Sequence, residues 1–269
     1  MKGKDVTMLW SVNDHHVRIG PSVVPPAGLM IRSIRTLMAS APLLGALAFL
    51  PLQAHAADSL GAALAKLAPS ADPKVIGLAV QAAECAQSQG GNPSSRLAVI
   101  DYSKPSSQPR LWVFDMVNRK LLFQELVAHG KNSGDGSSTK FSNAPNSLAS
   151  SIGLFRTEDT YMGKNGYSLR MEGLEPGVNS NALARAIVIH GAAYVSETMA
   201  RAAGRIGRSW GCPAVSTAVA HKLIDALKGG QMVFSYYPDQ KWLASSNYLK
   251  CSANQLAKAD ANTSVHAGT

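Results

Sequence analysis

The 269-residue chain predicts a mainly β domain with flanking helices, one of them late in the chain, behind a short helical preface. Three observations predict it. Runs rich in β-branched and aromatic residues recur from residue 96 onward, as in Leu97-Ala-Val-Ile, Arg110-Leu-Trp-Val-Phe and Met232-Val-Phe. Residues 58–89 instead carry the apolar spacing of helices, and 216–228 repeat that spacing before the last strand.

Residues 1–29 have no clear periodicity and are read as a non-structural upstream segment. Residues 30–56 read as a signal peptide: Met30-Ile-Arg-Ser-Ile-Arg35 is a basic start, Leu37 to Leu52 an apolar stretch, and Ala54-His55-Ala56 a small-x-small cleavage site. Ser40, Pro42 and Pro51 interrupt the apolar run, which is shorter than the ~20 residues a spanning helix needs, so no permanent membrane anchor is expected. Export to the periplasm or cell envelope follows. The remaining chain, of roughly 210 residues, suffices for one well-cored domain.

Residues 57–95 form the helical preface. Leu60, Leu64 and Leu67 make one stripe; Val75, Leu78, Ala79, Ala82 and Ala86 make another. Asp72-Pro73 is an N-cap and first-turn pair, and Gly90-Gly91-Asn92-Pro93 ends the second helix. Residues 96–251 form the main domain. Strands are expected at 97–102, 110–117 and 120–128, with a hairpin turn over 117–120, and again at 151–157, 167–171, 186–190 and 230–237. His129-Gly130 opens a polar loop that runs through Asn146, and Gly163-Lys-Asn-Gly166 is a turn. The helix over 216–228 places Val219, Leu223, Ile224 and Leu227 on one face and stops at Lys228-Gly229-Gly230. Residues 252–269, rich in Ala, Asn and Ser, are read as a flexible tail.

Two stretches carry chemistry. Ile187-Val-Ile-His190-Gly191 reads as a buried strand delivering an imidazole to a surface edge, and 22 residues after His190 the turn Ser209-Trp210-Gly211-Cys212-Pro213 presents a thiol. A thiol reacts as its thiolate, so a nucleophilic cysteine needs a neighbouring base, cation or helix N-terminus. His190 is the expected base, Arg205 and Arg208 lie just upstream, and the 216–228 helix begins just after Cys212. Gly211 lets backbone N–H groups approach an oxyanion. His129 is a rival base.

This wording resembles the L,D-transpeptidase catalytic domain (YkuD-type) family, in its murein L,D-transpeptidase branch. The resemblance runs from about Leu97 to Cys251 and includes Val99-Ile-Asp-Tyr-Ser, Val127-Ala-His-Gly130, Ser150-Ser-Ile-Gly-Leu-Phe and Gly173-Leu-Glu-Pro-Gly as well as the two site stretches. It departs from the wider family at Trp210, where most members have a second histidine, and at Pro213-Ala214, which replaces an aliphatic residue followed by Arg or Asn.

The resemblance implies a mixed β-sandwich or barrel carrying a helix after the nucleophile. It also implies acyl transfer on peptidoglycan stem peptides through a Cys212 thioester, with no cofactor and no metal. His190 would move the proton, the Gly191 carbonyl would orient the imidazole, and the Gly211 and Cys212 N–H groups would face the oxyanion. Arg208 and Arg205 are the expected grips for a substrate carboxylate. Trp210 either stacks on the peptide or packs the turn, and Tyr194 and Ser209 line the cleft. An L,D-carboxypeptidase using the same thiol and a weakly catalytic cell-wall-binding protein are the alternatives.

Composition fits that reading. The formal charge of +9 falls to +6 once residues 1–56 are set aside, because they hold five basic and two acidic residues. A modest basic excess suits an anionic polymer. No basic run with interleaved aromatics points to nucleic acid, and no phosphate-binding, Cys-x-x-Cys or His-Glu-x-x-His motif is present. With three cysteines in an exported chain, Cys85 and Cys251 are expected to pair and leave Cys212 free; otherwise both outer cysteines are buried thiols.

Overall fold

The computed structural model describes residues 59–91 and 93–251. The chain divides into two units, 1–53 and 54–269, and every described residue belongs to the second. The upstream segment, the signal peptide and the tail therefore lie outside the described residues. Among the described residues no helix is long and apolar enough to cross a membrane.

Two helices open this unit. Helix α1 (Leu60–Leu67) is capped by Ser59, whose hydroxyl accepts the Ala62 N–H. In α2 (Pro73–Ser88), Asp72 caps and Pro73 takes a first-turn place where a missing N–H costs nothing. The α2 burial is wider than one stripe: Ile76, Val80 and Ala83 are buried with Val75 and Ala79, while Leu78 is only partly covered. The reason is that α2 packs against α1 on one side and the sheet on the other.

The strands are β1 (Arg96–Asp101), β2 (Leu111–Asp115), β3 (Lys120–Glu125), β4 (Gly153–Gly163), β5 (Gly166–Gly173), β6 (Val188–Gly191), β7 (Ala214–Val215) and β8 (Met232–Tyr236). Helix α3 (Glu197–Ala203) lies between β6 and β7, α4 (Thr217–Leu227) between β7 and β8, and α5 (Gln240–Ser245) at the end. The eight strands form one sheet in the order β3-β2-β1-β8-β4-β5-β6-β7. It is mixed, because β1–β8 and β6–β7 are parallel and the other pairs antiparallel. Just past β3, Ala128 bridges to Ala214 of β7, so the two ends of the sheet meet and the architecture is barrel-like.

Central strands are covered on both faces, which is why they read as continuous apolar runs. Leu97 and Val99 of β1, with Trp112 and Phe114 of β2, pack under α1 and α2. The alternate residues Ala98, Ile100, Leu111 and Val113 join Leu169, Ile189 and the α4 residues Leu223, Ile224 and Leu227 in a second core. A third, smaller cluster of Leu126, Ala128, Val195, Ala200, Ile206 and Ala214 lies where the sheet ends meet.

Several elements differ from the sequence reading. Strand β4 continues to Gly163, far beyond 157, because the β4–β5 hairpin pairs out to Gly163 and Gly166. Strand β6 starts at Val188 because Ala186 adopts φ +52°. Short elements α3, α5 and β7 were not expected. Cys85 and Cys251 are joined by a disulfide spanning 166 residues, with Cα atoms 5.8 Å apart, which ties α2 to the end of the described chain.

Candidate active site

Strand β6 and the turn before β7 carry His190 and Cys212 on adjacent segments of the sheet's edge. Their parallel pairing sets His190 against Ala214, two residues past the thiol. Both groups are buried, so the expectation of an imidazole and a thiol presented at the surface is corrected: covering loops and a closed sheet leave Cys212 9% and His190 4% exposed.

Burial pushes the Cys212 thiol up, opposed by the Val188 N–H and by the charge of Arg185. The sulfur accepts the Val188 N–H at 3.5 Å and lies 3.6 Å from the Ala186 carbonyl. Burial lowers the His190 pKa, partly offset by the Gly191 carbonyl 3.0 Å from Nδ1. A carbonyl only accepts, so Nδ1 carries the proton and Nε2 keeps its lone pair. Burial thus favours the neutral form of both groups. Gly191 is required by packing as well: a Cβ there would lie 2.9 Å from Ala220 Cβ of α4.

The turn is built by Ser209. Its hydroxyl accepts the Gly211 N–H at 3.1 Å and donates to the Cys212 carbonyl at 2.6 Å. Ser209 is buried inside the turn, and the Gly211 N–H bonds to it, whereas no hydrogen bond to the Cys212 N–H is found among the described residues. Gly211 adopts φ +126°, and a Cβ there would meet the Ala149 carbonyl at 2.9 Å. Gly130 packs equally tightly, its would-be Cβ 2.9 Å from Gly211 Cα. Ser150, which the sequence reading missed, joins these backbones by accepting the Gly130 N–H and donating to the Gly211 carbonyl, both at 3.0 Å.

Arg205 and Arg208 are held by the polar loop. Both contact Asp135 Oδ1, at 3.4 and 3.2 Å, and Arg208 also donates to the Gly134 carbonyl. An internal carboxylate therefore lies within reach of both of the guanidinium groups expected to grip a substrate carboxylate. Trp210 is 70% exposed, with Lys131 Nζ 6.0 Å from its ring centroid, so it does not pack the turn. Tyr194 stacks beneath Gly207, where a Cβ would collide with its side chain. Burial, and then the proximity of Cys212, push its pKa up to about 12.

His129 is fully buried and both its nitrogens are used. Arg110 donates to Nδ1 at 2.7 Å and Nε2 faces the Gly134 carbonyl at 3.4 Å. Burial, reinforced by Arg110, lowers its pKa to about 4. It is a loop anchor, not a base.

The cation beside the thiol is Arg185, which the sequence reading overlooked. Its guanidinium donates to the carbonyls of Ser142 (2.6 Å) and Ala149 (2.5 Å) and to the hydroxyls of Ser151 (2.6 Å) and Ser147 (3.0 Å). It pins the 142–151 loop against the turn that carries Cys212. The available signal was position: Arg185 immediately precedes the strand that ends in His190. Among the described residues no group of three or more His, Cys, Asp or Glu is arranged to hold a metal.

The family model described as L,D-transpeptidase catalytic domain matches residues 67–236, a span that takes in α2 as well as the whole sheet. No curated protein matches. Among solved structures, the L,D-transpeptidase from Mycobacterium smegmatis is 14% identical, with 54% of this chain and 59% of that one covered at a TM-score of 0.33. L,D-transpeptidase 1 from Mycobacterium tuberculosis is 14% identical over 53% and 62% of the two chains, at 0.31. The L,D-transpeptidase from Stackebrandtia nassauensis is 17% identical over 66% and 89%, at 0.32. The chain spans about six-tenths of the length of the two mycobacterial structures.

Proposed function

Because this chain belongs to the L,D-transpeptidase catalytic domain family, we propose that it is an exported cysteine acyltransferase acting on peptidoglycan stem peptides, with Cys212 as nucleophile and His190 as base. The observation that carries this reading is the placement of a free, buried thiol two residues from the partner of a histidine whose Nε2 lone pair is fixed by its neighbour's carbonyl.

The resting thiol lies against Ala186 and Val188. Rotation of the side chain turns Sγ towards Nε2, which takes the proton as sulfur attacks the donor carbonyl. The oxyanion faces the Cys212 N–H, a donor of a kind typically worth ~3–4 kcal/mol. Collapse breaks the C–N bond, and His190 returns its proton to the leaving amine. An acceptor amine then attacks the thioester, gives its proton to Nε2, and the C–S bond breaks to restore the thiol. One amide replaces another, so no external energy source is needed. Arg185 supports the transient thiolate and holds the loop that closes the turn. Trp210, exposed beside the thiol's turn, is free to stack on the peptide.

Intact-mass spectrometry after carbapenem exposure tests the nucleophile. One covalent adduct, absent from Cys212→Ala, is expected; the absence of any adduct while Cys212 remains open to a small alkylating reagent counts against it. Product analysis with and without an acceptor amine then separates transfer from hydrolysis, and cell-wall binding without acylation would indicate a binding protein.

A further inference from the structure

Arg170 stands out among the guanidinium groups near the site because no carboxylate or carbonyl occupies it among the described residues. Arg156 is paired with Glu158 and Glu172, Arg185 is bound by four oxygens, and Arg205 and Arg208 share Asp135. Arg170 has an aromatic partner instead: its Cζ lies over the Tyr161 ring, 4.2 Å from the centroid. A guanidinium held over a ring keeps its in-plane N–H fork for a planar anion, and the ring limits the conformational freedom lost on binding.

The sheet register places this pair on the face of the sheet that carries His190. Tyr161 pairs with Ser168, and Ser168 pairs with His190, so these three project from one face. Arg170 pairs with Val188 one row along the same face. Two residues along a strand span about 7 Å, a distance one side chain of a bound peptide covers. Tyr161, Arg170, Leu183, Ala186, Ile187 and Val188 line a cavity of about 160 Å³. Two of these lining residues, Ala186 and Val188, also supply the carbonyl and the N–H against which the Cys212 sulfur rests.

We infer that this cavity is a carboxylate subsite of the acyl-donor groove, in which Arg170, braced by Tyr161, binds a carboxylate of the donor peptide beside the scissile bond. The assignment rests on the acyl-transfer reading of Cys212 and makes Arg170 a specificity-determining residue of that site. A carboxylate next to the reacting carbonyl comes from two sources, the side chain of the residue that donates the acyl group or the free C-terminus of the leaving residue.

Binding of synthetic stem-type tetrapeptides to the Cys212→Ala protein, which cannot turn them over, tests the subsite apart from the chemistry. Three peptides are compared: both carboxylates free, the acyl-donor side chain amidated, and the C-terminus amidated. Arg170→Gln is expected to weaken binding of the free peptide about tenfold or more and to leave one amidated peptide unaffected, which identifies the carboxylate held. Arg170→Lys should restore part of the loss by keeping charge without the fork. Equal weakening for all three peptides, no weakening, or no binding of the free peptide to the parent protein overturns the assignment. In protein that retains Cys212, an unchanged rate of iodoacetamide labelling in Arg170→Gln shows that the thiol's surroundings are intact. Discrimination between carboxylate and amide without turnover by the unsubstituted enzyme would reject the acyltransferase reading while leaving the subsite in place.

Discussion

Nδ1 of His190 lies 3.0 Å from the carbonyl oxygen of Gly191, the next residue on the same strand. The contact fixes the imidazole tautomer with main-chain atoms alone. It also explains why residue 191 can lack a side chain, while the nearness of Ala220 explains why it must.

Gly191→Ala keeps the carbonyl but forces a Cβ to within 2.9 Å of Ala220 Cβ. The overpacked β6–α4 contact should cost about 1–3 kcal/mol in denaturant unfolding. Adding Ala220→Gly should recover part of it, less about 1 kcal/mol for glycine in a helix. Equal stability of the single variant and the parent would contradict the packing account.

The thiol pKa is raised by burial, so labelling of Cys212 by iodoacetamide should climb with pH to a midpoint above the ordinary cysteine range. His190→Ala should reduce turnover by about two to four orders of magnitude while leaving the midpoint high. A midpoint near neutrality would instead mean a resting thiolate–imidazolium pair.

Arg185→Gln removes the one charge among the described residues that lowers the Cys212 pKa and the donors that hold residues 142–151. Labelling at pH 7.5 should fall several-fold, and limited proteolysis should find new cleavage within that loop. Arg185→Lys should keep more of the labelling rate than of the loop protection, because one ammonium cannot make four fixed bonds.

His129 gives a pH dependence of stability with a defined sign. The unfolded chain takes up its proton near pH 6.5, whereas the folded chain does so only near 4. The unfolded state therefore binds more protons between these values, and stability is lost as pH falls from about 6.5 to 4. Denaturant midpoints across that range should show a steeper decline for the parent than for His129→Gln, and parallel curves would refute it.

Trp210→Ala should change the melting midpoint little, since an exposed side chain away from special contacts typically contributes within about 0.5 kcal/mol. A rise in KM with stability retained is expected if the ring stacks on the peptide. Strong unfolding would restore a packing role.

Much of this protein is legible along the chain. The Asp72-Pro73 helix start, the double-faced apolar strands and the spacing of Leu223, Ile224 and Leu227 are local signals, because caps, turns and periodicity act within a few residues. The family wording around His190 and Cys212 is local too, and the family model that matches 67–236 names the same family. Helix α3 was equally readable, with Ser196 as cap, Glu197 in the first turn and Gly204 in the left-handed region, but seven residues give little periodicity.

The sequence by itself determined which side chains could do chemistry. Tertiary structure alone decided which of them are available. Arg205 and Arg208 meet Asp135 only because the 129–146 loop folds back over the turn, and Arg185 reaches the thiol only through bonds to a loop some 40 residues earlier. The Gly211 N–H is spent on Ser209, and His129 is locked by Arg110. Each outcome depends on desolvation and on pairing between distant segments, and neither leaves a periodic trace in the chain.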